Sequence, residues 1–147
     1  MIAIASDHGG FKLKGAIIKF LAENGYEYKD FGTNSTESCD YADFAKAVAL
    51  SVKSGECEKG ILVCGTGIGM SLAANKVKGI RAALCGDYFS AKYTRLHNDS
   101  NIICLGERVT GEGLALELVD VFLKTEFEGG RHALRIEKIA KMEQQDL

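Results

Sequence analysis

Apolar and polar positions along this chain fall into short blocks whose period changes repeatedly. Ile2–Ser6, Ile61–Cys64, Arg81–Cys85 and Asn101–Leu105 carry compact apolar runs of strand length. Between them the spacing lengthens to that of amphipathic helices. Phe11–Asn24 places Phe11, Ile17, Ile18 and Leu21 on one helical face, and Gly25 stops it. Tyr26–Phe31 reads as a further strand. Asp40–Ser54 is helical, with Val48 and Val52 four apart and Gly55 as its stop. Gly69–Val77, Ser90–Leu96, Gly113–Thr125 and His132–Glu143 complete the helices.

Strands alternating with helices imply βαβ units and a five-stranded parallel sheet covered on both faces. Runs such as ILVC and IICL suit burial on both sides. No linker, repeat or low-complexity stretch interrupts the pattern, so residues 1–147 read as one domain. Ligands of such sheets bind beyond the carboxyl ends of the strands. Asp7-His8, Cys64 to Ser71 and Gly106 to Arg108 all fall at such ends. His97-Asn98-Asp99 instead precedes the fifth strand, so joining them requires a longer loop or a neighbouring subunit.

The segment ILVCGTGIGMSLAANK, Ile61–Lys76, concentrates the chemistry. A strand, a loop with three alternating glycines and a helix start present unpaired backbone N–H groups to an anion. Cys64 stands at the edge of that loop, where the helix N-terminus favours thiolate. Against this, free cysteine is often a small buried apolar filler, a reading that suits Cys85 and Cys104. A dinucleotide fingerprint is incomplete: Asp87 lies about 20 residues on, as a ribose ligand should, but Met70 or Leu72 stands where the third glycine belongs. No Gly-Lys-Ser/Thr follows, so the phosphate loop of nucleotide triphosphatases is excluded. A purely structural tight turn and an anion cradle both remain.

Arg131 and Arg135, spaced i and i+4, share a helical face and can clasp a phosphate, or form part of a solvated basic face with Lys138 and Lys141. His8, His97 and His132 show no metal-ligand spacing within one helix, so no metal is expected. His8 beside Asp7 and His97 beside Asn98 suit proton transfer or hydrogen bonding.

Composition narrows the classes. A net charge of −2 with interspersed signs gives no basic field for nucleic acid or anionic lipid. No apolar run approaches the roughly 20 residues of a membrane span. The opening MIAIASDHGG lacks a basic n-region and reads as a strand, not a signal peptide. Five cysteines without a CxxC pair suggest free thiols and a cytoplasmic setting.

SDHGGFKLK, Asp40-Tyr41, CGTGIGMSLAANK, RLHND at Arg95–Asp99, GERV at Gly106–Val109 and EGGRHALR together resemble the ribose-5-phosphate isomerase B family over essentially the whole chain. The resemblance implies a three-layer α/β/α Rossmann-like fold with a C-terminal helical arm, about residues 131–143, reaching a partner subunit. It implies interconversion of ribose 5-phosphate and ribulose 5-phosphate through ring opening and a cis-enediolate, without metal or organic cofactor. Cys64 then resembles the base that moves the proton between C1 and C2, and Thr66 the group that shuttles protons between O1 and O2. His97 resembles the ring-opening residue. Gly65, Gly67, Ile68, Gly69, Met70 and Ser71 would cradle the enediolate oxygen with their N–H groups. Asp7, Tyr41 and Asn98 correspond to substrate-binding positions, and His8, Arg108, Arg131 and Arg135 to phosphate-binding ones. Another branch of the family carries a glutamate base at the position of Met70, and here Cys64 is the base left in place. A homodimer with shared sites is implied, with a tetramer as its extension. The same chemistry on a six-carbon substrate such as allose 6-phosphate is the main alternative, with pocket length near Tyr41 and Phe89 deciding. A non-catalytic phosphosugar-binding module is the third reading.

Overall fold

Five parallel strands form one sheet in the order β2-β1-β3-β5-β4. The computed structural model describes the whole chain, Met1–Leu147. Its elements are β1 (Ile2–Ser6), α1 (Phe11–Glu23), β2 (Tyr28–Asp30), α2 (Tyr41–Lys53), β3 (Lys59–Cys64) and α3 (Ile68–Ala74). They continue with β4 (Ala82–Leu84), α4 (Tyr88–Asn98), β5 (Ile102–Gly106), α5 (Glu112–Lys124) and α6 (Arg131–Met142). A short 3-10 turn, His8–Gly10, joins β1 to α1.

Side-chain alternation along the strands divides the core in two. Ile2, Ile4, Ile61, Val63, Ile103 and Leu105 pack with α1 and α5 on one face. Ala3, Ala5, Leu62, Cys64, Ile102 and Cys104 pack with α2 and α3 on the other. The three central strands are therefore apolar at every position between, which is why their short runs were legible as strands. The arrangement is the expected three-layer α/β/α fold.

Edge elements differ from the sequence expectation. β2 keeps only three residues, all exposed, because an edge strand has neither a second partner nor full cover. α4 starts at Tyr88 instead of Ser90, since the Asp87 carboxylate accepts the Ser90 N–H at 2.7 Å and caps the helix.

The chain reverses its direction of sheet growth between β1 and β3, which places a ligand crevice beyond their carboxyl ends. Here the 3-10 turn lies against β3 so closely that a Cβ on Gly10 would sit 2.5 Å from the Val63 carbonyl oxygen. At the other end of the sheet α6 packs on α4, and the carboxylate of Glu143, just past α6, accepts the Gly79 N–H at 2.9 Å.

The Gly10 contact carries a stability prediction. Gly10→Ala should lower unfolding free energy by about 1–3 kcal/mol through overpacking against β3. Urea denaturation followed by far-UV dichroism measures it, and an unchanged midpoint contradicts the close approach.

Candidate active site

β3 delivers Cys64, 5% exposed, to the crevice on the α2/α3 face. The chain then turns through Gly65-Thr66-Gly67, and Gly67 adopts a left-handed φ of 80°. That conformation favours glycine, and a Cβ there would also lie 2.6 Å from Leu84 and 2.9 Å from the Leu105 carbonyl carbon. The turn aims the Gly67 N–H at the Cys64 sulfur, 3.1 Å away. The Ile68 N–H donates to Thr66 Oγ1 at 3.2 Å, which fixes that exposed hydroxyl beside the loop. Gly69 and Met70 follow in the first turn of α3, where N–H groups have no preceding helical carbonyl to reach.

Two expected cradle members contribute less than their place in the motif implies. The Ser71 N–H donates to the Gly67 carbonyl at 3.1 Å, and its hydroxyl donates to the Ile68 carbonyl at 2.8 Å. Both groups are thus spent within the helix. The Met70 side chain is fully buried in the core, so only its backbone faces the loop.

Neighbouring segments close on this loop from two sides. The Glu107 N–H donates to the Cys64 carbonyl at 2.9 Å and the Arg108 N–H to the Gly65 carbonyl at 3.0 Å. The Arg108 guanidinium consequently lies over Gly65, where a Cβ would approach its Nη1 to 3.1 Å. Tyr41 lies against Gly69, where a Cβ would approach its ring to 2.6 Å. The Glu107 side chain, whose role the sequence did not disclose, accepts the Leu13 N–H at 2.7 Å and so ties α1 to the same loop.

On the β1 side, Asp7 Oδ1 accepts the Gly9 and Gly10 N–H groups at 2.9 and 3.2 Å. This bond shapes the 3-10 turn and brings Gly9 against Gly65, where a Cβ would stand 3.2 Å from the Gly65 nitrogen. His8 follows, half-buried. Its Nδ1 accepts the Cys39 N–H at 3.2 Å, leaving Nε2 to carry the ring proton as a donor. Asp7, His8, Tyr41, Cys64 to Met70 and Arg108 therefore converge on one crevice.

The remaining expected residues do not. α4 runs back along the sheet, so His97 and Asn98 emerge at the amino end of β5, while Cys64 pairs with Gly106 at its carboxyl end. Arg131 and Arg135 open α6 on the side of His97, both exposed, with Arg135 Nη1 donating to the Arg131 carbonyl at 3.4 Å. Within one chain the expected residues therefore lie at the two ends of the sheet.

The second cluster includes residues the sequence did not single out together. His97 stacks on His132 with ring centroids 4.1 Å apart and an interplanar angle of 12°. Glu128 lies 3.7 Å from His97 Nε2. Burial, then the neighbouring His97 and Arg131, hold His132 below the usual imidazole range. Spacing within a helix could not reveal this pair, because α4 and α6 bring it together across the fold.

The other thiols have a different environment from Cys64. Burial, aided by Asp87, pushes the Cys85 thiol up to about 11. Complete burial raises Cys104 well above the ordinary thiol value. Both are the fillers that their places at strand ends suggested.

The sheet thus brings a thiol and a loop of backbone N–H groups together at its switch point. Residues 2–139 match the Ribose/Galactose Isomerase family. The chain is 50% identical to ribose-5-phosphate isomerase B of Escherichia coli K12 over 143 residues, covering 97% of this chain and 96% of that one. It is 44% identical to the D-erythrulose-4-phosphate isomerase of Pectobacterium atrosepticum over 146 residues, covering 99% and 96%. The solved structure of ribose-5-phosphate isomerase B from Clostridium thermocellum superposes with a TM-score of 0.96 at 58% identity, covering 97% of each chain. This chain belongs to the ribose/galactose isomerase family, and it is an aldose–ketose isomerase.

Thiol environments give a direct check. Alkylation of the folded protein with iodoacetamide near pH 8 should modify half-buried Cys39 and spare Cys57, Cys85 and Cys104 until denaturant is added. Peptide mapping by mass spectrometry reads the order, and early loss of Cys104 contradicts its burial.

Proposed function

We propose that the protein interconverts ribose 5-phosphate and ribulose 5-phosphate, with Cys64 as the base that moves the substrate proton. The observation that carries this reading is the buried thiol at the end of β3, held 3.1 Å from the Gly67 N–H beside a helix-opening loop. Isomerisation requires a base near an acidic C–H and donors aimed at the oxygen where negative charge develops. The thiolate of Cys64 takes the proton from C2 of the open aldose, and the electron pair moves into a C1–C2 enediolate. The Gly65, Gly69 and Met70 N–H groups, which make no bond elsewhere in the chain, stabilise the oxyanion, and Thr66 passes a proton between O1 and O2. The Cys64 thiol then returns its proton to C1, giving the ketose. Atoms and electrons balance without an external oxidant or reductant.

The substrate arrives largely as a closed ring. His97 donates a proton to the ring oxygen as the anomeric hydroxyl gives one up, and Asn98 and Asp7 hold hydroxyls. His8, Arg108, Arg131 and Arg135 bind the phosphate, whose binding energy holds the reacting carbons in place. For these groups to act together, the His97 end of one chain must meet the Cys64 end of another. The division of the residues between opposite ends of the sheet supports a homodimer with two shared sites, and exposed Ile68, Leu72 and Phe89 supply apolar surface near the thiol end and on α4. Pairing of dimers into a tetramer is compatible with the same sites.

The likeness to a D-erythrulose-4-phosphate isomerase favours one second reading, the same proton transfer on a sugar phosphate of different length. Kinetics on ribose 5-phosphate, allose 6-phosphate and erythrulose 4-phosphate decide between them. The expected outcome is the highest kcat/KM with ribose 5-phosphate, and a loss in kcat of about 10²–10⁴ in Cys64→Ala with phosphate-ligand binding retained. Turnover that survives Cys64→Ala excludes Cys64 as the base.

Subunit sharing has its own test. Cys64→Ala and His97→Ala should each be inactive, yet a dimer containing one of each retains one intact site. Random mixing by co-refolding should restore about a quarter of wild-type activity. No restoration in mixtures shown to contain mixed dimers contradicts shared sites.

A further inference from the structure

We propose that His97, Glu128 and His132 form a binding site for one zinc-class divalent cation, and that filling it inhibits the enzyme. The three side chains come from α4, the α5–α6 connection and α6, and one ligand atom of each lies within 4.8 Å of the others. His132 is 8% exposed, yet its Nε2 has no hydrogen-bond partner anywhere in the chain. A buried ring nitrogen left unpaired requires a physical reason, and an ion is one such partner. His97 Nε2 already faces a Glu128 oxygen at 3.7 Å, so the cluster presents two imidazoles and a carboxylate.

That donor set is one zinc takes with a fourth position open to water or ligand. Imidazole nitrogen selects zinc, cobalt or nickel over magnesium and calcium, which prefer oxygen. Ligand atoms must close to about 2.0–2.2 Å from the ion. Because the His97 and His132 rings stack nearly parallel, half-buried His97 must tilt out of the stack and exposed Glu128 close in, while buried His132 stays fixed. Arg131 and Arg135 add positive charge nearby and oppose cation binding, so the site is weaker than a structural zinc site.

The binding claim stands independently of the isomerase reading. Only the inhibitory consequence rests on it: an ion on His97 removes the imidazole proposed to open the ring.

The test begins with full-length protein carrying Cys39→Ser and Cys64→Ser, which removes the thiols nearest the surface as competing ligands. Titration with cobalt(II) should give one bound ion per chain with visible d–d absorption, displaced by zinc and unaffected by magnesium or calcium. Glu128→Gln and His132→Ala, each in this background, should weaken cobalt binding by at least about tenfold. Far-UV dichroism checks the fold of each variant, and Glu128, being exposed, provides a substitution that leaves packing intact. Absence of binding in the parent, or undiminished binding in folded Glu128→Gln, overturns the site. In the protein with all its cysteines, zinc should inhibit turnover, a chelator should restore it, and Glu128→Gln should need at least about tenfold more zinc. Equal zinc sensitivity overturns the inhibitory link and points to metal on the thiols. If the protein turns over no sugar phosphate while cobalt still binds as described, the isomerase reading fails and the metal site holds.

Discussion

Crowding of backbone against backbone at the carboxyl ends of β1, β3 and β5 governs the thiol crevice. A Cβ on Gly106 would stand 2.6 Å from the Thr66 carbonyl, and one on Gly10 would meet Val63 just as closely. These contacts leave the thiol loop little space to relax. They also explain why its hydrogen bonds are made by main-chain groups. The Gly67 N–H reaches the sulfur, and the loop after β5 is bonded to the carbonyls of Cys64 and Gly65. A donor array fixed in this way needs little reorganisation when charge appears on a bound oxygen, which is the basis of electrostatic preorganisation.

Glycine has two distinct uses in the same short motif. Gly67 provides a backbone conformation that other residues adopt at a cost. Gly65 and Gly69 instead provide room, the first for the Arg108 guanidinium and the second for the Tyr41 ring. The alternation in the sequence therefore encodes a turn and two docking points for neighbouring side chains. A nucleotide fingerprint uses glycines for similar physical ends, which is why the motif could not be assigned from its glycines alone.

Much of the architecture was legible because the central strands are apolar on both faces. β1, β3 and β5 needed no tertiary information to be found, and the helices followed from their stops and spacing. The boundary of α4 was less accessible, since a capping aspartate directly after a glycine competes with turn readings. The thiol half of the site was legible because strand ends, loop and helix start lie together in sequence. The His97–His132 stack was not, because a spacing rule searches one helix while this pair joins two. Ser71 also shows the limit of motif reasoning: its place in the loop suggested a donor, but the helix already uses its N–H.

β5 separates the two halves of the site, with His97 near its first residue and the Cys64 loop near its last. At about 3.3 Å per residue, its five residues set a separation of roughly 16 Å along the sheet. For the proposed homodimer, the strand would act as a ruler. A two-fold pairing that brings one chain's histidine end to its partner's thiol end must make the reciprocal match as well. In the proposed homodimer, two copies would complete both sites or neither, and the length of one buried strand would fix how far apart they lie.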